Sequence, residues 1–364
     1  MQDLEHSLDL IYEAAFMPDG WEVVLNNMAR AIGAEGAVLF NTRAANTRWR
    51  ASHGIMDLIT RILEEDWTRN NPRAQQLLSE PHHGFQNEAE HFTEEQYNEY
   101  PFYKDLMQPL GYGFGAGTAI LIPSGDNVVF SVERRRSADP INRASIRFLD
   151  QLRPHLARAA LVSSRLEFEK LQVAVEALRL TGLPSAALGV DGQVLACNTL
   201  LESFTPQITL AARDRVRFDY APANSHFAAV IQELGKPNAS MALASRSFPL
   251  PAIDDVPPAL VHLVPIRGGA RDIFSQGTAF LIVTPVDRTR IPSAEAIQGL
   301  FDLSPAEARV ARCIASGADV AATARRLSLS QETIRSHIKK ILAKSGMARQ
   351  ADFVAAIASI RLIP

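Results

Sequence analysis

Residues 303–354 read LSPAEARVARCIASGADVAATARRLSLSQETIRSHIKKILAKSGMARQADFV, and this stretch decides how the chain is read. It opens on Ser304-Pro305-Ala306-Glu307. The Ser304 hydroxyl can accept the backbone N–H three residues on, Glu307 can reach back, and proline suits the first helical position. A helix follows through Val310, Ile314 and Ala315 to Gly317, a natural left-handed stop. The pattern predicts a short second helix over Val320–Leu327, a turn at Ser328-Leu329-Ser330, and a third helix over Gln331–Ser345 capped by Ser330 and ended by Gly346. A fourth helix is expected over 350–360.

The third helix has two faces. At about 100° per residue from Ile334, Ile338 and Ile341 stay within about 40° and Leu342 lies near 80°. That stripe packs inward. Arg335, Lys339, Glu332, Ala343 and Ser336 spread over about 100–200°, away from it, with Thr333, His337, Lys340 and Lys344 flanking at about 240–300°. Major-groove insertion needs an exposed helix face with a cation that can bond guanine bidentately and small residues that permit close approach. Flanking Lys, Thr and His suit phosphates, which position a helix without reading sequence. A merely solvated basic helix would not need the short helix, tight turn and caps around it.

These residues carry a resemblance. Leu303-Ser-Pro-x-Glu307, Gly317, Ala324, Leu327, Ser330, Thr333-Ile-Arg-x-His337, Ile341 and Arg349 resemble the LuxR-type (GerE-type) helix-turn-helix, over about a sixth of the chain. The resemblance implies that the third helix enters the major groove and the fourth contributes to dimer contacts on DNA. It makes Arg335, Ser336 and Lys339 the base-reading candidates. Thr333, His337, Lys340 and Lys344 become the phosphate candidates. Two positions depart from the family pattern: Thr323 stands where Ile is usual, and Ala322 where an acidic or polar residue is common.

Upstream, the charge pattern changes sign. The chain of 364 residues has a formal net charge of -3. From Leu300 onward ten Lys or Arg face five Asp or Glu, so a basic tail follows an acidic body, as expected of DNA contact at one end. Hydrophobic residues at 47 % and charged residues at 21 % fit a folded chain of two or three domains and exclude a disordered one. The two cysteines, Cys197 and Cys313, form no CxxC or zinc spacing and read as buried thiols. The acidic, amphipathic N-terminus is unlike a signal peptide, no apolar run reaches the length of a membrane span, and a cytoplasmic location is expected.

Apolar spacing predicts helices over 4–32 broken at Pro18-Asp19-Gly20, a strand at 37–40 and a helix at 55–66. A hairpin is expected at 118–122 and 128–132, joined by a turn at 123–127. Gly111–Gly117 lacks the Lys and following helix of a phosphate loop and reads as a bend beside the sheet. His82, His83 and His91 with Glu88 and Glu90 lack metal-ligand spacing and read as a polar loop. A long helical stretch opens at Asp139-Pro140 and runs to about Leu180. Leu149, Leu152, Leu156, Ala159, Ser163 and Leu166 follow a 3-4 spacing that fits either a dimer seam or packing on the helix's own domain. Pro154 should kink or break it. Beyond it, Asp191-Gly192 is a hairpin signal between 186–190 and 193–196, with further strands at 245–250, 260–266 and 277–284.

Two looser resemblances complete the organisation. Asp191-Gly192-Gln193 followed by Cys197-Asn198 is similar to the start of a PAS domain, where the Asn caps a helix. Asp66-Trp67, Asn71-Pro72-Arg73 and the run from Pro101 to Gly111 are similar to GAF-like sensor regions. Aromatics gather there, and Trp67, Phe85, Tyr100, Tyr103 and Phe114 are candidates for an apolar effector pocket, with ordinary core packing as the alternative. The expected fold is α+β: a GAF-like domain over 1–160, a helical connector over 161–182, a PAS-like domain over 183–288, a linker over 289–299 and an all-α four-helix module over 300–364. The two sensor domains are expected to be mainly antiparallel sheets with flanking helices.

The expected function is a sequence-specific, one-component transcription regulator acting on promoter DNA as a homodimer. It would answer an unidentified small-molecule effector, with RNA polymerase as a further partner and no cofactor or metal. The alternative is an interaction protein whose helix-turn-helix docks a protein. No Gly-x-Ser-x-Gly elbow or His-Glu-x-x-His motif supports an enzyme.

Overall fold

The computed structural model describes residues 2–42, 48–68, 70–122, 125–234, 244–266, 273–286, 291–358 and 360. Residues 123–124 of the expected hairpin turn and 289–290 of the expected linker lie outside them. Among the described residues no helix is long and apolar enough to cross a membrane.

The first domain is an antiparallel sheet between two helical layers. Its strands are β1 (Gly36–Asn41), β2 (Arg48–Ala51), β3 (Gln86–Asn87), β4 (Tyr112–Leu121) and β5 (Asn127–Arg135), in the order β2-β1-β5-β4-β3. Alternation assigns Val38 to one face and Leu39 to the other. Leu39, Phe130 and Val132 meet helices α1 (Gln2–Phe16), α2 (Trp21–Ile32) and the first half of α6 (Arg143–Leu180). The opposite face is covered by α3 (Met56–Glu64), α4 (Pro72–Ser79), α5 (Glu94–Glu99) and a π-helical turn over Phe102–Met107.

The glycine-rich run is strand rather than bend. β4 starts at Tyr112 and includes Gly113, Gly115 and Gly117. Glycine is a poor strand former, but here the missing side chains make room. A Cβ on Gly115 would collide with the Arg73 guanidinium and the Glu88 carboxylate. Arg73 bonds both oxygens of Glu133, at 3.0 and 2.9 Å, and its Nε lies 3.3 Å from Glu88. Burial pushes the Glu88 carboxyl above its usual range, and Arg73 opposes that shift.

A second antiparallel sheet has the order β10-β11-β12-β6-β7, from β6 (Ser185–Leu188), β7 (Val194–Cys197), β10 (Arg246–Leu250), β11 (Ala259–Pro265) and β12 (Ala279–Pro285). The β6–β7 turn forms where Asp191-Gly192 predicts it, with Gly192 at φ 73°. One face packs on Phe204, on the small ribbon β8 (Ile208–Ala211) and β9 (Arg215–Phe218), and on α7 (Ala221–Leu234). The other face, with Ala187 and Ile266, receives Leu171 and Val175 of α6.

Helix α6 therefore packs on both sheets, and its residues 161–180 cover most of the expected helical connector at 161–182. It starts at Arg143, capped by Asn142, and runs unbroken through Pro154. Leu149, Leu152 and Leu156 on both sides of the proline are fully buried and hold it in line. Leu149, Leu152, Leu156, Ala159 and Ser163 are buried against the first domain, which favours intramolecular packing for these five residues of the stripe, while Leu166 is only half-buried. Ser163 also donates to the carbonyl of Ala15 at 3.0 Å.

Asn198 does not act as a side-chain helix cap. It is buried and stitches the end of α6 to the second sheet. Its amide donates to the carbonyls of Val175 and Leu183 and to the Ser185 hydroxyl, at 3.2, 2.9 and 2.9 Å, while its oxygen accepts from Ser185 N at 3.1 Å. Asn198→Ala would strand these buried groups. It should cost about 2–4 kcal/mol, read as a lower urea midpoint for unfolding of the second sheet in the full chain.

Candidate nucleic-acid interface

Among the described residues the C-terminal module has five helices: α8 (Ala294–Phe301), α9 (Pro305–Ala315), α10 (Val320–Leu327), α11 (Gln331–Ser345) and α12 (Gln350–Ala358). α8 replaces most of the expected linker. Ser293 caps it by accepting from Ala296 N at 3.2 Å, and it buries Ile297 in the module's core. That core also contains Val310, Ile314, Ile334, Ile341, Phe353 and Ile357.

Local chemistry sets each boundary. Ser304 and Glu307 form the reciprocal capping box, at 3.3 and 2.8 Å. Gly317 follows α9 at φ 82°. Asp319 caps α10 through Ala322 N at 2.6 Å. Ser328 takes the left-handed turn conformation at φ 55°, and Ser330 caps α11 through Thr333 N at 3.1 Å. Gly346 ends α11 at φ 70°.

On α11, Ile334 and Ile341 are buried, with Ile338 and Leu342 partly so. Arg335, Ser336 and Lys339 are exposed together on the far side, as the periodicity places them. Arg335 makes a surface pair with Glu332 at 3.3 Å, one turn away. Lys340 is exposed, while Thr333 and His337 are half-buried. The Thr333 hydroxyl lies 2.8 Å from that of Ser330, within the cap. The buried His337 Nδ1 has no hydrogen-bond partner among the described residues.

Lys344 is engaged differently from the other cations. Its ammonium donates to the Glu307 carboxylate and to the Asp302 carbonyl, both at 2.9 Å, and so clamps α11 to the start of α9. Nothing in the local sequence announces a contact across 37 positions. Two exposed cations in the last turn of α10, Arg325 and Arg326, also went unassigned from the sequence, although their pairing at a helix end is visible there. Thr323, one of the two residues that depart from the family pattern, is fully buried, and its hydroxyl has no partner among the described residues.

The aromatic candidates divide between the two faces of the first sheet. Tyr103 is buried with Phe102 and Tyr97, and Trp67 and Tyr100 pack against the same cluster. Phe85 and Phe114 belong to the opposite face. Tyr97 and Tyr103 lie 4.8 Å apart between ring centroids, and Trp67 meets Phe102 edge-on at 6.3 Å. The five residues therefore do not line one site.

Residues 302–355 match the family model of bacterial regulatory proteins of the luxR family, and this segment is a LuxR-family helix-turn-helix domain. No curated protein sequence matches the chain. Among solved structures, the chain is similar to the N-acylhomoserine lactone dependent LuxR family transcription factor CepR2 from Burkholderia cenocepacia. That match has 16 % identity and a TM-score of 0.36, covering 45 % of this chain and 96 % of that one. Escherichia coli SdiA matches at 10 % identity and TM-score 0.30, covering 96 % and 92 %. Vibrio cholerae VqmA matches at 13 % identity and TM-score 0.22, covering 51 % and 86 %. None of the three reaches a TM-score of 0.5, so the domain match alone carries the family assignment.

Two outcomes test this geometry. The Ser304 backbone N–H, with Lys344 adding to it, holds the Glu307 carboxyl at about 2, below its ordinary 4.5. A carboxyl depressed in the folded state contributes stability that is fully present above about pH 4.5 and is lost as pH falls toward 2. Lys344→Met should lower stability at pH 7 and shrink that acid-sensitive loss, measured by urea titrations read at α9 amides over pH 3–7. Separately, Thr323→Val removes the unpartnered hydroxyl at nearly constant volume. It should stabilise the module by about 1 kcal/mol in the same measurement at neutral pH.

Proposed function

Proceeding from a LuxR-family helix-turn-helix domain at residues 302–355, we propose that the protein is a sequence-specific, ligand-responsive transcription regulator that binds promoter DNA as a dimer. The observation that carries the reading is the exposed face of α11. Arg335, Ser336 and Lys339 lie together on it, opposite the buried Ile334 and Ile341 and framed by caps that fix both ends of the helix. In this reading Arg335 and Lys339 contact base edges and Ser336 permits close approach. Lys340, Thr333 and His337 position the helix on phosphates. Arg325 and Arg326 join them, because the first helix of such a motif crosses the DNA backbone. Lys344 serves the module's fold.

The two upstream domains are proposed as GAF-like and PAS-like sensors. The aromatic cluster around Trp67, Tyr100 and Tyr103 is the part of the first domain where an effector would bind. Support comes from the concentration of rings on one face of a sheet whose neighbouring strand carries three glycines. Effector binding would bias the arrangement of the DNA-binding modules in the dimer.

Selection of genomic DNA fragments by the purified full-length protein tests the reading, and a recurrent, roughly palindromic motif is expected. Arg335→Ala should cost about 1–3 kcal/mol at that motif and relax preference at one base position. Lys340→Ala should weaken binding to all sequences alike and reduce the salt slope by about one. Selection of no motif by wild type, or selection unaltered by Arg335→Ala together with Lys339→Ala, would overturn it.

A further inference from the structure

One segment of the second domain is buried in the first. Immediately ahead of β12, Ile273 and Phe274 are each 1 % exposed, yet neither belongs to the second sheet's core. They lie in the first domain's core, with Ile11, Trp21, Val24, Leu25 and Phe130. The Phe274 ring stands 5.4 Å from Trp21, which in turn stands 5.7 Å from Phe130 of β5. The aromatic stack at the start of α2 thus includes a ring supplied from about 250 residues away in sequence.

The segment is fixed at both sides. Arg48, on the edge strand β2 of the first sheet, donates to the backbone carbonyls of Ser275 and of Gly277, the latter at 3.1 Å. Gly277 lies so close to α6 that a Cβ there would come within 2.9 Å of the Leu171 side chain. One residue on, Thr278 N and Oγ1 donate to the Leu188 carbonyl of β6, at 2.8 and 3.0 Å, which anchors the segment in the second sheet. Over Ile273–Thr278 the chain passes from one domain's core to the other domain's backbone.

Domains joined by a polar contact move relative to one another by default. A core that borrows an aromatic ring behaves differently, because withdrawing the ring leaves a phenyl-sized hole that neighbouring side chains only partly refill. Opening the joint therefore destabilises the donor's anchor and the acceptor's core together. We propose that Ile273–Thr278 is an interdomain plug that locks the two upstream domains into one cooperative unit, so that a structural change in either is felt by both. The inference does not depend on the DNA-binding reading or on any effector.

Hydrogen exchange of the full-length protein under rising urea tests it. In wild type, amides of α2 and of β11–β12 should lose protection at a common midpoint. Phe274→Ala should part the two midpoints, with α2 exchanging on the order of 100-fold faster at intermediate urea. Phe274→Leu, which refills most of the socket, should restore coincidence. Arg48→Ala leaves the core filled and only releases the segment's carbonyls. It should also part the midpoints, and it decides the matter if Phe274→Ala does not fold. Separate midpoints in wild type, or coincident ones in Arg48→Ala and in any folded Phe274→Ala, would overturn the plug.

Discussion

Helix α6 has to satisfy two hydrophobic cores at once, and the architecture upstream of residue 291 follows from that. At 38 residues it is about 57 Å long, well beyond the needs of either domain. Its first half buries Leu149, Leu152 and Leu156 under the first sheet, and its second half lays Leu171 and Val175 on the second. A break anywhere along it would leave each half to find its own orientation. Pro154 forgoes one backbone hydrogen bond inside this helix, at a cost of about 3 kcal/mol in an isolated one. The burial of three leucines around it, each contributing about 1.5–3 kcal/mol, outweighs that and keeps the helix continuous.

Side chains given up for room explain the first sheet. β4 carries glycine at alternate positions, so one face of the strand is nearly bare backbone. Into that space come Arg73 from α4 and Glu88, to meet Glu133 from β5. Burial raises the Glu88 carboxyl, the Arg73 guanidinium holds it down, and Glu133, the second carboxylate facing that one cation, adds to the rise. The aromatic layer of Tyr97, Phe102 and Tyr103 closes over this face and excludes water, which raises the cost of any unpaired charge beneath it.

What could be read from the sequence depended on the range of the interactions involved. In the helix-turn-helix module the signals are local: Ser304 and Glu307 are three residues apart, Ser330 and Thr333 likewise, and Gly317 and Gly346 act through their own backbone. The helices from Pro305 onward and the exposed face of α11 were accordingly legible. Elsewhere local signals were outweighed or absent. Pro154 reads as a breaker until its leucine neighbours are seen to be buried. Gly113, Gly115 and Gly117 read as a bend until Arg73 and Glu88 are seen to need the space. α4 was missed although Asn71-Pro72 is a good helix start, because its body, PRAQQLLS, buries only Leu77 and shows little periodicity. α8 reads as linker because its single buried residue, Ile297, packs against residues that follow it at a distance. Phe274 offered no signal, since its ring partner Trp21 lies at the other end of the chain. The division of Trp67, Tyr100 and Tyr103 from Phe85 and Phe114 likewise depends on strand facing, which composition alone does not contain.

Within α11 the cations divide by what holds them. Lys344 bonds a Glu307 side chain only 7 % exposed and an orphan carbonyl near the helix start, so releasing it would leave a buried carboxylate without its ammonium. These two bonds tie Lys344 to the start of α9. Arg335 is paired as well, but with Glu332 at 60 % and 85 % exposure, where an i,i+3 pair contributes only about 0.2–0.5 kcal/mol. A pair that weak leaves the guanidinium ready to exchange Glu332 for a stronger acceptor. Lys339 and Lys340 are both exposed on the same helix. The helix therefore keeps one cation for stability and presents three outward, and the buried clamp lets the exposed face exchange its contacts without loosening the scaffold beneath.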